Sequence, residues 1–211
     1  MAAGTTSSIG KHVQQSIAHA HLEREPFDHI YIQNVFPWDY YWQMLEYLPV
    51  DELYTDRAYA DRMMCDITTL GMSFWNSLAE WMLGGHFCKT VADKLLLDVP
   101  MMSPQIRLVR DRQGYQIKVH TDVKRKGVSL LFYLPNDSSL ANYGTSLYVP
   151  KTPGFVSDGT RRFEFEDFVK TKTAPFIPNS VCGFRRADNS FHGVEPLGIG
   201  TRNVLLYNIN V

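Results

Sequence analysis

The character of the chain changes at Pro100. Before it, apolar residues recur at helical spacing; after it, short apolar runs bounded by Gly, Pro, Asn and Asp take over. Residues 9–22 put Ile9, Val13, Ile17 and Ala20 on one helical face, with Ser7 or Ser8 available to cap the start. Residues 26–32 alternate like a strand, and a helix is expected from Phe36-Pro37-Trp38 to Leu48, with Trp38, Tyr41, Trp42, Leu45 and Leu48 along one side packed on a sheet. Residues 51–66 read as polar and broken. Two further helices, 72–83 and 86–97, flank Gly84-Gly85, with Gly84 ending the first. Strands are expected at 105–110, 115–122, 128–134, 146–149, 181–185, 191–195 and 202–210. Helices first and strands later imply an α+β fold, its N-terminal helices covering one sheet and its strands closing into a barrel or double-sheet jelly roll.

A chain of 211 residues with 45% hydrophobic content is long enough to bury one sizeable core, so residues 1–211 are expected to form one domain. Within it, 1–100 would be mostly helical support and 101–211 the core that carries the chemistry. A net charge of -1 provides no broad field for a phosphate backbone, so nucleic acid is not an expected partner, and a homo-oligomer is left open. Cys65, Cys88 and Cys182 are odd in number and far apart, which points to a reducing compartment. No signal peptide and no run of eighteen apolar residues is visible, so the expectation is a cytoplasmic protein without a membrane partner.

The chemistry is expected around His120-Thr121-Asp122. Side chains two apart on a strand share a face, and Gly114-Tyr115-Gln116-Ile117-Lys118-Val119 reads as the strand leading in. With His192 as a third point, two imidazoles and one carboxylate form the facial set that binds Fe(II) in non-haem oxygenases while leaving coordination positions open. Lys118 falls by alternation on the metal face, where it would be either functional or at an open rim. His12, His19, His21 and His86 read as surface, cap or core-edge residues.

These runs, with Leu130-Leu131-Phe132-Tyr133-Leu134-Pro135, Gly144-Thr145-Ser146-Leu147, Phe191-His192-Gly193-Val194 and Arg202, resemble the iron(II)/2-oxoglutarate-dependent oxygenases, most of all the prolyl-hydroxylase-like branch. The resemblance covers about residues 104–211, and 27–49 weakly. It implies a double-stranded β-helix, a jelly-roll (cupin-like) variant. It also implies Fe(II) held by His120, Asp122 and His192, with 2-oxoglutarate and O₂ as co-substrates and ascorbate as a reductant. Arg202 would clamp the distal carboxylate of 2-oxoglutarate through a planar, permanently charged guanidinium, with Tyr133 offering a phenol to the same carboxylate. Val204 stands where plant members often carry a hydroxyl. Arg107, Arg110, Gln116 and Lys118 are all candidates for the other end. The implied reaction is hydroxylation with release of succinate and CO₂; halogenases have Gly or Ala where this chain has Asp122.

The expected substrate is a small molecule, such as an amino acid, a sugar derivative or a natural-product intermediate. The alternatives are a protein or peptide side chain, a cupin-like metal-binding protein without oxygenase activity, and a degenerate fold used for binding. Lys124-Arg125-Lys126 reads as a solvated turn closed by Gly127, or else as an attractor for a carboxylate or phosphate on the substrate. Loops 136–143 and 152–160 are candidate lids over the pocket.

Overall fold

The computed structural model describes residues 3–59 and 61–211, and side chains from residue 8 onward apart from 56–60. Its helices are α1 (Ala3–His19), α2 (Trp38–Glu46), α3 (Ser73–Met82) and α4 (Gly85–Lys94). Its strands are β1 (His29–Gln33), β2 (Asp56–Tyr59), β3 (Arg62–Asp66), β4 (Ser103–Arg112), β5 (Ile117–His120), β6 (Lys126–Tyr133), β7 (Thr145–Pro150), β8 (Phe168–Ala174), β9 (Ser180–Arg185), β10 (His192–Val194) and β11 (Thr201–Asn210). They form two antiparallel sheets, a large one in the order β1-β9-β6-β11-β4-β3-β2 and a small one in the order β5-β10-β7-β8.

Period-two alternation gives the large sheet two different faces. Val128, Leu130 and Phe132 of β6, Leu205, Tyr207 and Ile209 of β11, and Ile106 and Leu108 of β4 point to one side. There they meet Val13 and Ile17 of α1, Met44 of α2, Trp75 and Leu78 of α3, and Phe87 and Val91 of α4. Each fully buried side chain of this size contributes about 1.5–3 kcal/mol relative to exposure, so this layer dominates the stability. The intervening residues of the same strands face the small sheet, and this second layer mixes apolar Val109, Tyr133, Phe184 and Val204 with polar Ser129, Asp111 and Arg202. The buried charges Asp111 and Arg202 therefore lie between the sheets, on the side away from the helices.

Several expectations need correcting. α1 runs through Ser7 and Ser8, so neither begins it. Pro37 occupies the N-cap of α2, whose buried face is Tyr40, Tyr41 and Met44, while Trp38 and Trp42 are about half exposed. Gly84 is the N-cap of α4. The segment read as broken contains the hairpin β2–β3, which forms one edge of the large sheet, and β1 forms the other edge. Support and core are therefore interleaved, because the first hundred residues supply three strands of the large sheet. β8 was not anticipated: Lys170, Thr171 and Lys172 give it the polar composition of a sheet edge, which it is. Among the described residues, no helix is long and apolar enough to cross a membrane.

Candidate metal and co-substrate site

A register slip builds the centre of the site. β10 pairs with β5 as His192 to His120 and Val194 to Ile117, so two steps along β10 are matched by three along β5. The extra residue is a β-bulge, and it lets Ile117 and His120 both line the cavity between the sheets. Simple alternation is therefore broken at Lys118, which turns to the rim and ion-pairs with Glu164. Asp122 lies two residues beyond the end of β5 and is buried.

The ligand atoms of His120, Asp122 and His192 lie within 4.8 Å of one another. The two imidazole rings are 4.4 Å apart between centroids, and Phe184 packs on His192 at 4.3 Å. His120 Nδ1 is 2.9 Å from the Lys118 carbonyl and His192 Nδ1 is 2.9 Å from the Ser190 carbonyl. A carbonyl only accepts, so each Nδ1 carries the proton and each Nε2 keeps its lone pair. Burial drives both imidazoles away from the charged form, His120 down to about 3. Burial alone would raise the Asp122 carboxyl, but the Lys126 ammonium and the two histidines outweigh it and hold the group well below the usual carboxylate range. Lys126 Nζ donates to one Asp122 oxygen at 2.9 Å and Ser129 Oγ to the other at 2.8 Å. Ser129 Oγ also lies 2.9 Å from the Asn208 amide, and a hydroxyl has only one proton. The amide must then present its N–H₂ to Ser129, giving a relay from Asn208 through Ser129 to Asp122.

Arg202 is fully buried at the other end of the same cavity. In register it stands directly opposite Asp111, and Asp111 directly opposite Arg62, so the three form one row across β11, β4 and β3. Arg62 meets Asp111 with two hydrogen bonds, 2.6 and 3.0 Å, and Arg202 Nη1 adds a third at 2.9 Å. Two guanidiniums against one carboxylate leave a single positive charge in the row. Among the described residues, Arg202 Nε and the Tyr115 hydroxyl find no hydrogen-bond partner, and both residues line the cavity. Buried donors without acceptors are costly, and a ligand carboxylate is the kind of group that would satisfy them.

Tyr133 is buried, but its hydroxyl donates to Thr145 Oγ1 at 2.9 Å and accepts the Thr145 N–H at 3.0 Å. The cavity wall at that point is Thr145, and the unpartnered phenol nearby belongs to Tyr115. Of the other candidates, Arg110 turns away to Asp51 and Asn203, Gln116 is exposed, and Arg107 lines an outer cavity. His12, His19, His21 and His86 are all exposed. Sequence reasoning passed over Arg62, Asp111, Tyr115, Ser129 and Asn208. A lone acid at Asp111, on the same face as Arg107 and Val109 in a strand with three arginines, was the available signal.

The inner cavity, about 90 Å³, shares Arg62, His120, Asp122 and Lys126 with an outer one of about 610 Å³. Loop 151–162 forms one wall of the outer cavity and is seated on the metal-ligand segment. Thr121 Oγ1 donates to the Ser157 carbonyl at 3.2 Å, and a Cβ at Gly159, whose φ is +86°, would lie 2.1 Å from the Asp122 carbonyl oxygen. Loop 136–143 is at the far side, where Leu140 is buried in the inter-sheet layer, so it does not cover this mouth.

Neither a family model nor a curated protein matches the chain. Solved structures do. A prolyl 4-hydroxylase of Pseudomonas putida is similar over 96% of this chain and 98% of its own, at 14% identity and a TM-score of 0.59. A Trichoplax adhaerens prolyl hydroxylase, solved with a hypoxia-inducible-factor peptide fragment, is similar over 98% and 91%, at 12% identity and a TM-score of 0.56. HygX of Streptomyces hygroscopicus, solved with nickel, 2-oxoglutarate and hygromycin B, is similar over 86% and 82%, at 13% identity and a TM-score of 0.56. The chain therefore has the fold of the iron(II)/2-oxoglutarate oxygenases, prolyl hydroxylases among them.

Proposed function

We propose that the chain is an iron(II)/2-oxoglutarate-dependent dioxygenase that hydroxylates a small molecule, and that its two facing sheets act as one double-stranded β-helix domain. One observation carries this reading: three converging ligand atoms and a buried guanidinium with a spare donor occupy the same cavity. His120 and His192 would hold the metal through Nε2, with Asp122 as the third ligand. Iron(II) with 2-oxoglutarate and O₂ supplies there the oxidising power to turn a C–H into a C–OH, with succinate and CO₂ released.

The chain's own residues bind and orient. The Lys118 and Ser190 carbonyls fix the two ring tautomers, and the Asn208–Ser129 relay holds the Asp122 carboxylate in place. Arg202 Nε and the Tyr115 hydroxyl take the distal carboxylate of 2-oxoglutarate, and Tyr133 acts on that end through Thr145. Val109, Leu131, Val194 and Val204 line the space between and keep water out.

The test is an anaerobic Fe(II) titration with and without 2-oxoglutarate. A visible metal-to-ligand charge-transfer band that needs both, and slow succinate formation in air, are expected. His120→Ala and His192→Ala should abolish both signals. Tight metal binding with no band would identify a cupin-like metal protein instead, for which Arg202 has no role. The Trichoplax relative was solved with a peptide fragment; here the seated loop 151–162 walls the mouth, which favours a compact substrate.

A further inference from the structure

The outer cavity is lined by six cations, Arg62, Arg107, Arg125, Lys126, Arg161 and Arg162, and by one acid, Asp122. The whole chain carries 21 basic and 22 acidic residues, so this concentration of one sign is local. The six come from separate pieces of chain: β3, β4, the start of β6 with the residue before it, and loop 151–162. Such a mouth focuses its field on whatever enters.

Pairing within the site narrows what the field is for. Arg62 is compensated by Asp111 and Lys126 by Asp122. Arg125 and Arg161 are exposed and have no acidic partner among the described residues. They approach the cavity from two different segments. Two uncompensated guanidiniums match a group of charge close to −2 with oxygens on several sides, which is a phosphate monoester rather than a single carboxylate.

We propose that the molecule oxidised at this site is a phosphorylated small molecule, whose phosphoryl group is held in the outer cavity by Arg125 and Arg161 while a C–H bond elsewhere in it reaches the metal. This rests on the dioxygenase reading. It deepens that reading by naming the substrate class. The seating of loop 151–162 matters here, because Thr121 and Gly159 fix Arg161 relative to the metal ligands. A nucleic acid strand is disfavoured, since a chain of net charge -1 provides no broad field for a long phosphate backbone.

The test uses the full chain loaded anaerobically with Fe(II) and 2-oxoglutarate, titrated calorimetrically with ribose 5-phosphate, ribose, tricarballylate and a short oligothymidylate. Ribose 5-phosphate should bind, ribose should not, and affinity should fall as salt is raised. Arg125→Gln with Arg161→Gln should weaken binding about tenfold or more, whereas Lys89→Gln on α4 should leave it unchanged. Both arginines are exposed, so the double variant should fold, and the salt dependence is a readout that needs no variant. Equal binding of ribose, tighter binding of tricarballylate or of oligothymidylate, or an unaffected double variant would each overturn the proposal. If the charge-transfer band forms while ribose 5-phosphate fails to bind, only the substrate class falls; if the band itself never forms, the dioxygenase reading falls with it.

Discussion

Arg202 and Asp111 face each other across adjacent antiparallel strands, and their side chains meet at 2.9 Å with essentially no solvent contact. Asp111 also carries Arg62, so one carboxylate balances two guanidiniums. Removing it while keeping its shape leaves a buried and a part-buried cation side by side. Asp111→Asn should therefore lower the unfolding free energy by roughly 3–5 kcal/mol. Urea denaturation measures this, and a midpoint equal to that of the parent would disprove the balance described.

Arg202→Lys tests the other side of that pair. A lysine still offers Asp111 a positive charge, and Arg62 keeps its two bonds, so the fold should tolerate the change. The fork that remains for a carboxylate is lost. Affinity for 2-oxoglutarate in the anaerobic titration should fall about tenfold or more, and an unchanged affinity would remove Arg202 from the clamp.

Ser129 reaches the proposed metal site only through Asp122. Ser129→Ala deletes the hydrogen bond to one carboxylate oxygen but leaves Lys126 on the other. Metal affinity should drop by about tenfold to a hundredfold. Ser129→Thr, which keeps the hydroxyl, should recover much of it; recovery with no hydroxyl present would mean the relay is irrelevant.

Gly159 is where loop 151–162 touches the metal segment. A methyl group there would sit 2.1 Å from the Asp122 carbonyl oxygen on a residue whose φ is +86°, so neither space nor backbone permits it. In Gly159→Ala the loop must lift away. Weaker metal binding and faster proteolysis within 151–162 are expected, and limited digestion of the two proteins side by side shows whether they occur.

His29 predicts the acid limb of stability. Its Nδ1 donates to the Phe27 carbonyl at 2.8 Å, and Lys172 stands 3.4 Å from Nε2. Burial, with help from Lys172, lowers its pKa below the ordinary 6.5, despite the opposing hydrogen bond to Phe27. A depressed histidine contributes stability that is intact above its unfolded pKa and is lost as pH falls through the folded one, because the unfolded chain takes up the proton first. Stability of the metal-free protein should thus decline below about pH 6.5, with a shallower slope in His29→Gln. An identical slope in the two proteins would assign the decline elsewhere.

The convergence of His120, Asp122 and His192 beside Arg202 was legible because it is written in residue type and spacing. His120 and Asp122 keep their two-residue separation, and His192 and Arg202 lie on strands that the apolar runs marked out. Of the two readings for Lys118 the rim holds, but alternation alone could not choose it, because alternation assumes an unbroken ladder and a bulge is invisible until the partner strand is known. The hairpin β2–β3 and the edge β8 escaped because edge strands bury little and so carry no apolar period. The row Arg62–Asp111–Arg202 joins residues far apart in the chain, and only the sheet order makes them neighbours.

β11 lies at the centre of the large sheet, between β4 and β6, yet among the described strands it is the last to be synthesised. Until residues 201–210 leave the ribosome, β4 and β6 cannot share a sheet through it, and each presents an open edge that another chain could bind. The strand that closes both edges is thus also the one that brings Arg202 to Asp111. A message truncated shortly before this strand would yield an aggregating species, with no partly active form.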